Sequence, residues 1–553
     1  MTTATYWQTI DEFRRFAAEQ PDRPAVIYPD GTTAAGTPDY RRITYRELDR
    51  WSDTIAERLT ASGVGSGTRT IVLVLPSPEL YAILFALLKI GAVPVVIDPG
   101  MGVRRMVHCL RAVQAQAFVG IPQAHLVRLL FARSFRHVRT AVTVGRRWFW
   151  GGPTLRDWGR TPAGVLPERV PADPDDVLII AFTTGSTGPA KAVELTHGNL
   201  AAMVEQVHAA RGHTPPETSL ITLPLVGVLD LLLGARCVLP PLIPSRVGST
   251  DPAQVVEAIR TFGVRTMFAS PAVLIPLLTH LRTQPAELDS LASIFSGGAP
   301  VPDWCVAGLR EVLHPDVEIY AGYGSTEALP MSTIESRELL DGLVERAHAG
   351  DGTCIGRPAD RVSVRLLTIT DDPVPAWDGV EIAAGSSDVG EIAVSGPNVS
   401  TRYYWPAAAN TAGKIADGDR IWHRTGDLGW IDEQGRIWFC GRKSQRVQTA
   451  AGPMFTVQVE QVFNAIPGVA RSALVGLGSR GAQRPVLCVE LESGAEPNAV
   501  LTRLRTRATE FETVAPIAEF LTHPGFPVDI RHNAKIGREQ LARWAAKQLE
   551  AKR

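Results

Sequence analysis

Short apolar runs alternate with segments of helical periodicity through roughly the first 300 residues. Thr70-Ile71-Val72-Leu73-Val74-Leu75 precedes a helical pattern over 79–88, and Val93-Pro94-Val95-Val96-Ile97 follows it. Val177-Leu178-Ile179-Ile180-Ala181-Phe182 and Thr266-Met267-Phe268-Ala269 repeat the same texture. Strands apolar on both faces predict a parallel sheet covered by helices on both sides.

The texture changes near Cys354. Val362-Ser363-Val364-Arg365-Leu366-Leu367, Gly390-Glu391-Ile392-Ala393-Val394 and Arg436-Ile437-Trp438-Phe439 read as short strands between Gly, Asp and Pro turns. They predict a small β-rich part. Beyond Gly441 an α+β pattern returns, with a helix over 458–465 and a terminal one from Gly537. A boundary at 442–445 divides the chain into a large domain, 1–441, and a small one, 442–553.

Composition narrows the class. A chain of 553 residues is too long for one core, and 45% apolar with 20% charged residues is globular. A formal net charge of −1 argues against a nucleic-acid partner. Six scattered cysteines form no metal-ligand spacing and read as buried thiols of a reducing compartment. The N-terminus has no signal-peptide pattern, and the apolar stretch 220–244 is interrupted by Asp230, Arg236 and prolines. A buried core segment and a cytoplasmic location are expected.

Two charge features stand out. Only seven of 56 basic residues are lysine: Lys89, Lys191, Lys414, Lys443, Lys535, Lys547 and Lys552. Each is a candidate for a place needing a compact ammonium. Between Asp98 and Asp157 there are ten arginines and no acidic residue, with Trp148-Phe149-Trp150 interleaved. This 100–156 segment reads either as a solvated face with acidic partners from elsewhere in the fold, the first expectation, or as a membrane-surface or partner-docking face.

The most specific chemistry lies in Thr183-Thr184-Gly185-Ser186-Thr187-Gly188-Pro189-Ala190-Lys191, expected to join a strand to a helix beginning near Thr196. Gly185 and Gly188 let backbone N–H groups approach a phosphate, four hydroxyls add donors, and Lys191 adds positive charge. The spacing is not that of the common P-loop. In Tyr323-Gly324-Ser325-Thr326-Glu327 an aromatic can stack on a purine, a hydroxyl can bond a phosphate and a carboxylate can hold Mg²⁺.

Together these motifs resemble the adenylate-forming superfamily of acyl-CoA ligases, peptide-synthetase adenylation domains and luciferases, over nearly the whole chain. The resemblance implies that fold: layered α/β sheets with a small β-rich part, plus a mobile α+β C-terminal domain. It implies ATP and Mg²⁺ as cofactors, with the 183–191 loop closing on the β- and γ-phosphates. Ser296-Gly297-Gly298-Ala299-Pro300 would lie against adenine, Tyr323 would stack on it, Thr326 would bond the α-phosphate and Glu327 would hold Mg²⁺. Asp427, in Arg424-Thr425-Gly426-Asp427, and Arg442 would contact the ribose. Lys535 would be the catalytic lysine that bridges carboxylate and α-phosphate. Ser444 stands at the hinge, where the family usually has Asp or Lys.

The stretches 96–102, 439–447 and 523–538 look like the β-lactone synthetases of long-chain olefin biosynthesis. That likeness implies a long-chain 2-alkyl-3-hydroxy acid as substrate, a β-lactone as product, and assembly with other hydrocarbon-biosynthesis enzymes. The stretch 223–229 offers an aliphatic surface for an alkyl chain. His197, His423 and His532 are candidates for taking the hydroxyl proton. The same residues also suit a fatty acyl-CoA or acyl-AMP ligase, and a non-enzyme alternative is a nucleotide-binding scaffold.

Overall fold

The computed structural model describes residues 9–551 apart from 35, 161–172, 184–188, 211–216, 243–247, 379, 383–387 and 528–535. Thr184, Gly185, Ser186, Thr187, Gly188, His532 and Lys535 therefore lie outside the described residues.

The first part holds two large sheets, the layered arrangement that the resemblance implies, where the apolar runs alone suggested one. The seven-stranded sheet is parallel from Thr140–Thr143 at one edge through Val177–Phe182, then antiparallel at Ala192–Thr196 and Tyr403–Trp405. The nine-stranded sheet is parallel in its middle and antiparallel at both ends. One core cluster draws on both sheets and on the helices Tyr45–Ala61, Pro78–Lys89 and Pro224–Leu232 between them. Two further clusters pack Pro252–Phe262, Pro271–Thr283 and Asp303–Val312 on one outer face, and Val103–Val113 on the other. The result is layered: helix, sheet, helix, sheet, helix. Burial of side chains on both faces explains the unbroken apolar runs.

Local signals set several boundaries. Thr44 and Glu47 form a capping box at the start of Tyr45–Ala61, satisfying backbone donors that the first turn leaves free. The apolar stretch from Leu220 becomes strand, buried helix and strand, as expected for core. Among the described residues no helix is long and apolar enough to cross a membrane. All six cysteines are free and buried.

The β-rich part is a seven-stranded antiparallel sheet built on the long strand Arg420–Ile431. Past it, two core clusters are composed entirely of residues from Val447 onward. A three-stranded sheet backed by the helices Thr456–Asn464, Pro497–Ala508 and Arg538–Ala551 forms this last part.

Candidate active site

The expected loop-to-helix connection after Phe182 contains an additional strand. Val177–Phe182 pairs antiparallel with Ala192–Thr196, and the helix His197–Ala210 follows. The 183–191 loop is thus a hairpin connection, clasped at its base: Thr183 N–H donates to Lys191 O at 2.9 Å, and Lys191 N–H donates to Thr183 Oγ1 at 3.2 Å. Lys191 is fixed at the mouth of that loop.

Tyr323 to Glu327 lies in a second hairpin. Glu318–Ser325 turns through Thr326 and Glu327 into Ala328–Glu335. Gly324 is required there, because a Cβ would stand 2.9 Å from Ala328 O and from Leu329 Cδ1. Thr326 is half-buried at the tip, and Glu327 is 7% exposed. The strand Ser293–Ser296 runs parallel beside Glu318–Ser325 and pairs Ser296 with Ala321. This brings Gly297, Gly298, Ala299 and Pro300 alongside Gly322 and Tyr323.

Two groups of side chains meet around these hairpins. In the first, the hydroxyl of Tyr323 donates to Asp427 Oδ2 at 2.5 Å, and Arg442 Nε stands 2.8 Å from Asp427 Oδ1. Asp427 and Arg442 face each other across paired strands, and Gly426, at φ +72°, turns the chain so that Asp427 points inward. Burial pushes the Asp427 carboxyl up, while Arg442 and Tyr323 pull it back. Asp427 in turn raises the Arg442 guanidinium above its ordinary value. Oδ1 is buried and receives no directed hydrogen bond, which leaves an acceptor for a ligand hydroxyl.

The second group contains residues that sequence reasoning did not assign. The segment after Pro397 runs beside the Glu327 turn, where Ser400 N–H donates to Glu327 O at 2.7 Å. Tyr403, paired with Val193, donates its hydroxyl to Glu327 Oε1 at 2.9 Å. The ammonium of Lys191 lies 4.9 Å from the Tyr403 ring centroid and that of Lys414 lies 5.0 Å from it. Lys414 also donates to the carbonyl of Ser400. The scarcity of lysine was the one signal that pointed to Lys414; nothing in the sequence marked Tyr403.

Charge in this group is set by burial against pairing. Burial opposes ionisation of Glu327, but His423, the Tyr403 hydroxyl, Lys191 and Lys414 outweigh it and hold its carboxyl below the usual range. Burial and Glu327 keep the Tyr403 phenol protonated. His423 is pushed down to about 3 by burial and by Lys414. That favours its neutral form once Glu327 has ionised, and leaves Lys191 and Lys414 as the cations that face Glu327 at neutral pH. Burial also lowers His197. Lys414 is pushed down to about 7, chiefly by burial.

Glu327 suits Mg²⁺, a hard cation that takes oxygen ligands. Among the described residues no three His, Cys, Asp or Glu side chains gather into a metal cage. A Mg²⁺ at Glu327 would take its other ligands from phosphate oxygens and water, its usual habit beside nucleotides.

The expected hinge residue, Ser444, is exposed in the short turn Lys443–Gln445. Its neighbours are tied down. Lys443 reaches Glu391 Oε2 at 2.8 Å, Arg424 Nη2 meets the same oxygen at 2.5 Å, and Arg446 reaches Asp371 at 2.9 Å. Gly537 N–H donates to Pro527 O at 2.7 Å. Arg538 then binds Glu460 Oε2 at 2.8 Å and Gln445 Oε1 at 3.2 Å.

Known proteins resemble this chain in sequence and in fold. The AMP-binding enzyme profile matches residues 13–404. An olefin beta-lactone synthetase from Xanthomonas campestris pv. campestris is 44% identical over 97% of this chain and 96% of its own. One from Stenotrophomonas maltophilia is 43% identical over 97% of each chain. The amide bond synthetase McbA from Marinactinospora thermotolerans superposes with a TM-score of 0.79 over 97% of this chain and 99% of its own, at 22% identity, which shows a shared fold. A clasped loop ending in a lysine, a buried carboxylate beside it and a paired Asp–Arg across two strands are thus set in an adenylate-forming fold, and the chain belongs to the AMP-binding enzymes, in the group that contains the olefin beta-lactone synthetases.

Proposed function

We propose that this chain activates a long-chain 2-alkyl-3-hydroxy acid with ATP and closes it to a β-lactone. The observation that carries the reading is identity of 44% and 43%, over nearly full length, to proteins named for that product. The division into 1–441 and 442–553, with rotation at Ser444, belongs to the same proposal.

In the first half-reaction a carboxylate oxygen attacks the α-phosphorus of ATP and pyrophosphate leaves. Asp427 accepts from ribose hydroxyls beside Arg442, and Gly297, Gly298, Ala299, Pro300 and Tyr323 flank the adenine. Lys191 and the 183–188 backbone hold the outer phosphates, and Thr326 bonds the α-phosphate. A Mg²⁺ held by Glu327 would offset phosphate charge when bound. Lys535 carries positive charge to the forming acyl phosphate.

In the second half-reaction the 3-hydroxyl oxygen attacks the acyl carbon. A C–O bond forms, the acyl–phosphate bond breaks, AMP leaves with the electron pair, and the hydroxyl proton is released. An internal nucleophile has a high effective concentration, which offsets part of the ring strain. A crevice of about 110 Å³, lined by Tyr28, Pro76, Ser77, Ile221, Thr222 and Leu239, opens beside the 223–229 stretch and is the place we assign to one alkyl branch.

The test is product identification by mass spectrometry. The hydroxy acid with ATP and no CoA is expected to yield lactone and AMP. Thioester from a fatty acid with CoA, and no lactone without it, overturns the reading in favour of an acyl-CoA ligase. Pyrophosphate release no faster than in Lys535→Ala would point to a nucleotide-binding scaffold.

A further inference from the structure

The arginine-rich segment was expected first to find acidic partners elsewhere in the fold. Among the described residues, none of its ten arginines forms an ion pair with a carboxylate. Asp157, the next acidic residue, accepts from Thr154 N–H at 2.8 Å, and its carboxyl is lowered first by that capping and to a lesser degree by the charge of Arg147. Nine of the ten arginines are exposed, and Arg128 is half-buried over the Phe118 ring.

That charge surrounds an apolar corner at the outer edge of the seven-stranded sheet, beside the edge strand Thr140–Thr143. His125, buried in the helix Pro122–Leu130, stacks on Trp150 at 5.2 Å, and Trp150 Nε1 donates to Thr143 Oγ1 at 3.0 Å. Trp150 thereby pins the following-strand loop against the helix. Trp148 and Phe149 rest on Trp150, with centroids 5.5 and 5.3 Å away, yet remain 48% and 74% exposed. Leu129 lies one helical turn beyond His125, on the same face. Leu129, Leu130 and Phe131 are 37%, 71% and 36% exposed. Five of the ten large apolar side chains exposed among the described residues come from the end of this helix and the 148–149 loop. Isolated exposed apolar residues are ordinary, but such a concentration marks a contact surface. Arg133, Arg136, Arg139, Arg146 and Arg147 are exposed around it.

We propose that this corner docks the chain on an anionic phospholipid surface, with Trp148, Phe149 and Leu130 entering the interface and the arginines meeting the headgroups. Aromatic rings settle at the headgroup level, and basic side chains add attraction to anionic lipids. The single sign of the charge favours a lipid sheet over a protein surface of mixed charge. The geometry stands without any assumption about the reaction; the two-branched substrate proposed above supplies a reason for it.

The test is flotation of the full chain with vesicles of phosphatidylcholine alone and of phosphatidylcholine with equimolar phosphatidylglycerol, without substrate or ATP. The wild type is expected to float with the mixed vesicles only, and less at high salt. Trp148→Ser/Phe149→Ser and Arg146→Gln/Arg147→Gln are each expected to lower the bound fraction by roughly ten-fold or more. Melting temperatures should match the wild type, and the arginine pair carries the test if the aromatic pair does not fold. Equal flotation of wild type and variants, equal binding to neutral vesicles, or no binding at all overturns the proposal. Loss of a self-associated species in the variants, with no vesicle binding by the wild type, makes the corner a protein interface and overturns it too. Because the assay uses no turnover, absence of lactone would leave this result untouched.

Discussion

The hydroxyl of Tyr403 donates a 2.9 Å hydrogen bond to Glu327, and both Lys191 and Lys414 place their ammoniums over the same phenol ring. The carboxylate proposed to hold Mg²⁺ is thereby oriented by a side chain 76 residues away. A hydrogen bond to a charged group is worth about 1.5–3 kcal/mol. Tyr403→Phe should therefore raise the Mg²⁺ concentration needed for half-maximal pyrophosphate release by roughly ten-fold or more. An unchanged Mg²⁺ titration would show that Tyr403 does not position Glu327.

Asp427 keeps a buried oxygen without a directed donor beside Arg442. Asp427→Asn is expected to raise the KM for ATP by about 10–100-fold, the usual range for removing a charged acceptor. The wild type should also discriminate against 2′,3′-dideoxy-ATP, and the variant should lose that preference. A variant that still discriminates would place ribose recognition elsewhere.

Lys414 is pushed from its ordinary 10.5 to about 7 in the folded chain. Between these values the unfolded chain binds the additional proton, so this residue's contribution to stability rises with pH from about 7 to 10.5. Thermal melts of wild type and Lys414→Met should show the wild type gaining on the variant over that window. Parallel curves would mean that Lys414 is not held in a charge-opposing site.

Glu391 is 1% exposed and is shared by Arg424 and Lys443. Removing one partner of a buried ionic group leaves the others uncompensated, at a cost of about 3–5 kcal/mol. Glu391→Leu should lower the urea midpoint accordingly without changing the slope. Loss of less than about 1 kcal/mol would mean that the two cations find other partners.

The strands flanking the motifs were legible because burial on both faces leaves an unbroken apolar run, as in Val177–Phe182. The strand Ala192–Thr196 was not. Glu194 interrupts its pattern, and the ion pair that accommodates Glu194 comes from Arg402, 208 residues away. The apolar runs alone do not divide the strands between two sheets, because strands of both share the same texture; the layered sheets came from the resemblance. Asp427 and Arg442 could be named from motifs, yet their register across paired strands could not. Tyr403 sits in a Tyr-Tyr-Trp run that reads as core, and only the fold brings its hydroxyl to Glu327. Distant pairing, not local propensity, supplies what the pattern lacked.

Arg538 has a mechanical consequence. It stands three positions after Lys535 and grips both Glu460 and Gln445, the residue next to Ser444. The start of the helix Arg538–Ala551 and the turn Lys443–Gln445 thus share one fastening. If Ser444 turns as proposed, Arg538 would carry the twist to that helix start as through a rigid crank.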